Sequence, residues 1–441
     1  MRRCLAIIVI FFGLLGLSAC NATWQNPTLG EKVTLKIAVF DENAELQKQI
    51  ELFNQNNADY FLEVQTYKRS QQNEEDGLAR LQREITVGGG PDIIDFGVGY
   101  SNSDIVGFYT EDLSAYLQEM GSDDYFENIF ELFCYQDGLY AIPISFTFQT
   151  FVGTKENLGR RAGWNIQEML ECYQEQSGER ILYPGETKKD VLGTILTGSM
   201  DNYIDWQSGS CNFSSQEFRD LLAFCNMFPD NLIIPEDYSV KQIYENNEAL
   251  LLPLRIKTVY DIRSAEYIWG EQDVTYIGFP TEEKNGTVVK PGRTVLAISR
   301  NSNHKKEAWR FIEQCLGEQC QSELKSEIPV KQSVFNEKLQ NAMKTEYEVG
   351  MDGKPVPVVK YQIFFEGEEP VDVYSITEKE ATQLRELIER AERLTATDHS
   401  LYLILQEEAD YYFHGSKSIE KTVEVMQGRA QMYISERIKK R

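Results

Sequence analysis

An α/β fold in two lobes is what this 441-residue sequence predicts, and three observations carry the prediction. Strand-like and helix-like apolar patterns alternate between Val33 and Phe96, which implies a parallel sheet with right-handed crossovers. The chain is too long for one ordinary core, so two packed lobes are the default. Two extended, β-prone segments, beginning at Asp137 and at Gly292, are long enough to leave one lobe and enter another.

The elements follow in chain order. Arg2 and Arg3 precede an uncharged apolar run from Leu5 to Leu17. A permanent membrane span needs about twenty such residues, so this is the layout of a secretory signal. Its end, Leu17-Ser18-Ala19-Cys20, resembles the lipobox of bacterial lipoproteins. The resemblance implies a signal peptide over 1–20, a lipid (palmitate-bearing) anchor at Cys20, and a place on the outer face of the bacterial cell membrane. Asn21 to Lys32 is polar and reads as a tether.

"VTLKIAVF" sets Val33, Leu35, Ile37 and Val39 on one face and then loses its polar alternation, as a strand entering a buried sheet does. Asp41 is placed to cap the next helix, whose inner face is Leu46, Ile50 and Phe53. A strand at Phe61–Thr66 and a helix through Leu78, Leu81 and Ile85 follow, stopped by Gly88, Gly89, Gly90 and Pro91. "DIIDF", Asp92 to Phe96, is a strand again. Ligand-facing loops of such a sheet lie after the strands' carboxyl ends, here after Phe40 and Phe96. Helices are predicted from Trp164 to Tyr173, from Phe218 to Phe228, and through Ala308, Phe311, Ile312, Cys315 and Leu316. Leu384, Leu387, Ile388 and Leu394 form a later stripe. Ser418 can cap a final helix that turns Val423, Met426, Ala430 and Tyr433 inward.

Composition removes whole classes of function. Lys and Arg number 44 against 69 Asp and Glu, a net charge of −25, which loss of the signal would lower to −27. So acidic a surface repels polyphosphates, which excludes nucleic acid as a partner. The 42% apolar and 12% aromatic content is far above that of a disordered chain. Cys134, Cys172, Cys211, Cys225, Cys315 and Cys320 show no CxxC or CxxH spacing, so no metal and no cofactor is expected. Six cysteines allow three disulfides in fifteen pairings, and burial as free thiols serves equally well.

Catalytic motifs are equally scarce. "DFG" at Asp95–Gly97 lacks the glycine-rich loop, strand lysine and HRD segment of a kinase, and no Gly-Lys-Ser/Thr follows the three glycines. There is no GxSxG or HExxH, and His304, His399 and His414 are the only histidines. No catalytic residue is assigned, and binding is expected rather than catalysis.

Several blocks taken in order resemble the family 1 extracellular solute-binding proteins of ABC transporters, the maltose-binding-protein-like group. They are "LQREITVGGGPDIIDFG" (81–97), "YTEDLSAYL" (109–117), "DGLYAIP" (137–143), "HKKEAWRFIEQCLGEQCQSELKSEIPV" (304–330) and "EEADYYFHGSKSIEKTVEVMQGRAQMYISE" (407–436). The resemblance implies the type II periplasmic-binding-protein-like fold. Each lobe is then a mainly parallel sheet flanked by helices, with the ligand cleft between them: lobe one over 33–148 plus 293–335, lobe two over 149–292 plus 336–441. It also implies a carbohydrate ligand, a monomer, and permease and ATPase partners in the membrane.

A saccharide site needs aromatic faces against pyranose C–H groups and polar side chains against hydroxyls. On the cleft-facing loops the candidates are Phe40 and Asp41 after the first strand, and Tyr100 and Ser101 after "DFGVG". "SMDNYIDW" offers Asn202, Tyr203 and Trp206, and "LRIKTVY" offers Arg255 and Tyr260. These two stretches match in order those where family members carry ligand contacts, although the family's Gly-Trp pair is missing. The alternative readings are the same scaffold taking a peptide, polyamine or other charged solute, and a surface-anchored hydrolase. An acidic cleft would favour a cation; paired aromatic faces would favour a sugar.

Overall fold

The computed structural model describes residues 32–68, 76–97, 109–135, 137–176, 180–206, 208–232, 239–365, 368–395 and 398–439. The signal with its anchor residue Cys20, the tether up to residue 31, and Tyr100 and Ser101 lie outside them.

The first strand, β1 (Val33–Val39), pairs in parallel with β2 (Tyr60–Thr66) and β3 (Ile93–Asp95), as the strand–helix alternation predicts. Helices over Ala44–Asn56 and Gly77–Thr86 make the crossovers. The first of these is capped by Asn43, whose side chain accepts from the N–H groups of Glu45 and Leu46. Asp41, the expected cap, is exposed two residues earlier. Asn43 also donates to the Thr294 hydroxyl at 2.8 Å, a tertiary bond that fixes where the helix begins.

The chain then passes from β4 (Ile142–Pro143) through Ile144 into the long β5 (Ser145–Thr154). It returns through β6 (Leu252–Ile256), β7 (Val274–Tyr276) and β8 (Val288–Pro291) to β9 (Val295–Ile298). Short strands β10 (Ile328–Pro329) and β11 (Arg393–Leu394) complete the set. One sheet has the order β2-β1-β3-β9-β4, with β9 antiparallel to both neighbours. The other has the order β6-β5-β8-β11, with β7 and β10 also paired to β5. β5 is antiparallel to all its partners, so β6 and β8 run parallel to each other, and β8 is parallel to β11.

Two apolar cores follow from this layout. One fills the first sheet and continues onto one face of the second, taking Phe146, Phe148 and Val152 from β5. The other takes Phe151 and Val288 from the opposite face and packs them under the helices Ile166–Glu175, Lys188–Ser199, Gln216–Cys225, His399–Phe413 and Ile419–Lys439. Ser418 does receive the N–H of Lys421 at the start of the last helix. Two hairpins, Tyr347–Val349 with Pro355–Pro357 and Tyr361–Ile363 with Val371–Val373, stand apart from both sheets. Among the described residues no helix is long and apolar enough to cross a membrane.

Candidate ligand cleft

The register of the sheets brings five strand ends together. Val39 lies beside Asp95, and Asp95 beside Leu296, so β1 and β3 end where β9 begins. From the other side, Ile256 lies beside Phe148, Pro291 beside Phe146, and Leu394 beside Val289. The carboxyl ends of β1, β3, β6, β8 and β11 thus all face the changeover between the sheets. In open α/β sheets that is where ligands bind.

The changeover is held by polar contacts. Ile144 N–H donates to the Thr294 carbonyl at 3.1 Å, and Gly292 N–H to the Ser145 carbonyl at 2.8 Å. The Glu327 carboxylate accepts from the Ser145 hydroxyl and from Arg293 N–H. Burial raises the Glu327 pKa, against those two bonds. Asp95, itself buried, accepts with one oxygen from both Gly97 N–H and Val295 N–H, each at 3.0 Å. Burial pushes its carboxyl up to about 7 despite those two bonds. A groove of about 250 Å³ opens beside this junction, lined by Leu46, Gln49, Ile144, Cys315, Cys320 and Glu327 among others.

The first lobe's expected contacts divide. Asp41 is exposed at the end of β1, whereas Phe40 is 4% exposed, its ring 6.3 Å from that of Tyr67. Phe40 therefore serves the core. Successive strand residues point to opposite faces, and here both faces are buried, so the position after Val39 is core rather than cleft.

The second lobe's wall is strongly cationic. Residues paired across antiparallel strands share a face, as do residues two apart on one strand. Gln149 pairs with Arg255 on one side and Val288 on the other, and Thr147 pairs with Lys290. Arg255, Lys290, Thr147 and Gln149 therefore occupy one face of the sheet near the changeover, past Phe151 and Val288, which the helices cover, and Lys257 follows the end of β6, near enough for its charge to act on Lys290. The Gln149 carboxamide oxygen accepts from Arg255 Nε at 3.0 Å and Nη2 at 2.7 Å, in the amide orientation the network requires. Lys290 is half-buried, and its pKa is lowered by burial first and then by the charges of Arg255 and Lys257. Arg393, beside Val288 on β11, donates to the Asn202 carboxamide at 3.2 Å and pairs with Glu283. Asn202 is half-buried and its amide donates to the Pro280 carbonyl. Trp206, also half-buried, donates its indole N–H to Asp201 at 3.2 Å.

The structure thus places Arg255 beside Lys290 on this wall and Asn202 on Arg393 of the adjoining β11, with Trp206 beyond Asn202. Two tyrosines have ring partners of their own. Tyr203 is 4% exposed between Phe213 and Phe218, and Tyr260 stacks at 5.5 Å on Tyr361, in the second hairpin. Lys257, Lys290, Gln149 and Arg393 are wall residues that the motifs did not single out. The alternation "R-I-K" at 255–257 was their one local signal. Among the described residues no group of three His, Cys, Asp or Glu side chains is arranged to hold a metal ion. The six described cysteines are free thiols.

No protein-family model matches the chain, and no curated protein matches it in sequence. Solved structures do match in fold. A periplasmic oligogalacturonide binding protein from Yersinia enterocolitica superposes with a TM-score of 0.57 at 14% identity, over 92% of this chain and 100% of its own. The sugar-binding protein MalE from Xanthomonas citri gives 0.56 at 16% identity, over 92% and 98%. An ABC substrate-binding protein from Listeria monocytogenes, in complex with cycloalternan, gives 0.53 at 12% identity, over 92% and 100%. The chain has the two-lobed α/β fold of these solute-binding proteins, as the sequence blocks implied.

Proposed function

We propose that this chain is an extracellular solute-binding receptor that presents a carbohydrate to an ABC importer without transforming it. The carrying observation is the meeting of five strand carboxyl ends at a changeover crossed by two connecting segments, in a fold shared with sugar-binding proteins. We take the lobes to change over at Ile144 and at 292–294, within a few residues of the boundaries expected from sequence. The lipobox at Cys20 supports a lipid-anchored, outward-facing monomer that hands its ligand to permease subunits. A ligand that contacts both walls favours the closed arrangement by its extra contacts there.

Two other readings lose ground. A polyamine would meet the like charges of Arg255, Lys257 and Lys290. One further structural neighbour is a designed esterase, but the three described above are binding proteins.

The test is a thermal-shift and calorimetry screen of the detergent-solubilised full-length chain against mono- and oligosaccharides, polyamines and peptides. A saccharide at a hundred times its dissociation constant stabilises the fold by about 2.7 kcal/mol. Stabilisation by a polyamine and by no saccharide, or hydrolysis of a glycan, refutes the proposal.

A further inference from the structure

We infer that the saccharide is acidic, and that Arg255, Lys257 and Lys290 form the subsite for its carboxylate. This rests on the receptor reading above and names the chemical class of its ligand.

The inference begins from an imbalance of charge. In a chain of net charge −25, Arg255 and Lys290 share one face of one sheet, with Lys257 just past the end of β6, all within a few residues of the changeover. Among the described residues no carboxylate forms an ion pair with any of them. The abundant acids elsewhere do not cancel the cluster, because exposed charges are screened beyond about 10 Å at 0.1 M salt. Arg255 is held from one side by Gln149, which leaves its remaining guanidinium N–H groups directed elsewhere. Lys290 is half-buried beside two like charges. Keeping an ammonium there costs free energy that an incoming anion recovers. The neighbouring Arg393 differs, because Glu283 already neutralises it and Asn202 orients it.

Spacing selects among anions. Neighbouring strands lie about 4.8 Å apart and residues rise about 3.3 Å along them, so the backbones of Arg255 on β6 and Lys290 on β8, two residues out of register, are about 12 Å apart, and Arg393 on β11 lies about 14 Å from Arg255. A short chain of uronic acid rings, with a carboxylate on each ring, can span that width. Trp206, half-buried beyond Asn202, brings an aromatic ring to the far end of the wall, which suits sugar rings better than an acidic peptide.

The experiment compares digalacturonate and diglucuronate with the uncharged dimethyl ester of digalacturonate, maltotriose, inorganic phosphate and tri-glutamate. All are titrated calorimetrically into the full-length solubilised chain. At least one uronate dimer should bind ten- to a hundred-fold more tightly than the ester and maltotriose, the range of a charge-assisted contact. That preference should shrink as salt rises from 50 to 500 mM. R255Q/K257Q/K290Q should abolish the preference, and K306Q, on the helix Lys305–Leu316 that packs with the first sheet, should retain it. If maltotriose or the ester binds as tightly as the uronates, the inference fails and the receptor reading stands. If phosphate or tri-glutamate binds and no sugar does, both fail. If the triple variant keeps the uronate preference with an unchanged unliganded melting temperature, the subsite is misplaced and the inference is overturned.

Discussion

Replacing Asp95 by Asn tests how the changeover is built. The buried carboxyl titrates near pH 7 in the folded chain and near 3.9 when unfolded. Between these values the folded state keeps a proton that the unfolded state has lost, so stability falls as pH rises through the window from 4 to 7. A difference of about three pK units corresponds to roughly 4 kcal/mol in all. Both N–H donors, from Gly97 and Val295, fall on the same oxygen, Oδ1. An Asn carboxamide oxygen can therefore replace it without orphaning either donor and with no charge to bury. D95N should match the wild type near pH 4 and exceed it by up to about 4 kcal/mol at pH 8. Urea titrations of both proteins at pH 4, 5, 6, 7 and 8, followed by tryptophan fluorescence, measure the difference directly. Taking the difference cancels the other carboxylates. A gap that stays constant across the series, or one that narrows as pH rises, refutes the reasoning.

Other perturbations read other parts of the site. A methyl group at Gly292 would lie 2.1 Å from the Ser145 hydroxyl and 2.6 Å from a Glu327 oxygen. Gly292→Ala should therefore cost about 1–3 kcal/mol and shift the urea midpoint; an unchanged midpoint would show that the junction yields freely. Asn43→Ala removes the helix cap and the bond to Thr294 together, so about 1–2 kcal/mol should be lost in the same assay. Trp206→Ala should weaken saccharide binding by about tenfold, the scale of one ring contact, and equal affinity by calorimetry would remove that ring from the site. Cys134 is exposed while Cys172, Cys225, Cys315 and Cys320 are buried. Alkylation mapped by peptide mass spectrometry should label Cys134 first, and uniform labelling would contradict the described packing.

Much of the fold was legible because it is local. The alternation of period-2 and period-3.6 patterns from Val33 to Phe96 announces three parallel strands, and all three pair as expected. The stripe through Ala308, Phe311, Ile312, Cys315 and Leu316 is likewise buried as read. What escaped depends on distant partners. Asn43 outcompetes Asp41 as the cap through its bond to Thr294, far along the chain. Tyr260 stacks on Tyr361, in a hairpin that no apolar periodicity announced. The cationic wall was visible only at Arg255, because Lys290 joins it through pairing with Thr147 rather than through any motif. Phe40 illustrates the opposite error, where an aromatic at a strand end is simply core.

The position of β9 has a consequence for biosynthesis. It sits between β3 and β4, although some 150 residues of the chain separate it from β4. A nascent polypeptide that has reached only the first four strands therefore holds an unzipped sheet, with the bare margins of Ile93–Asp95 and Ile142–Pro143 awaiting a missing slat. Until Val295–Ile298 arrives, those margins are sticky. A prematurely halted product should be clumping debris rather than a tidy half, and whatever escorts the young chain must shield it for most of its length.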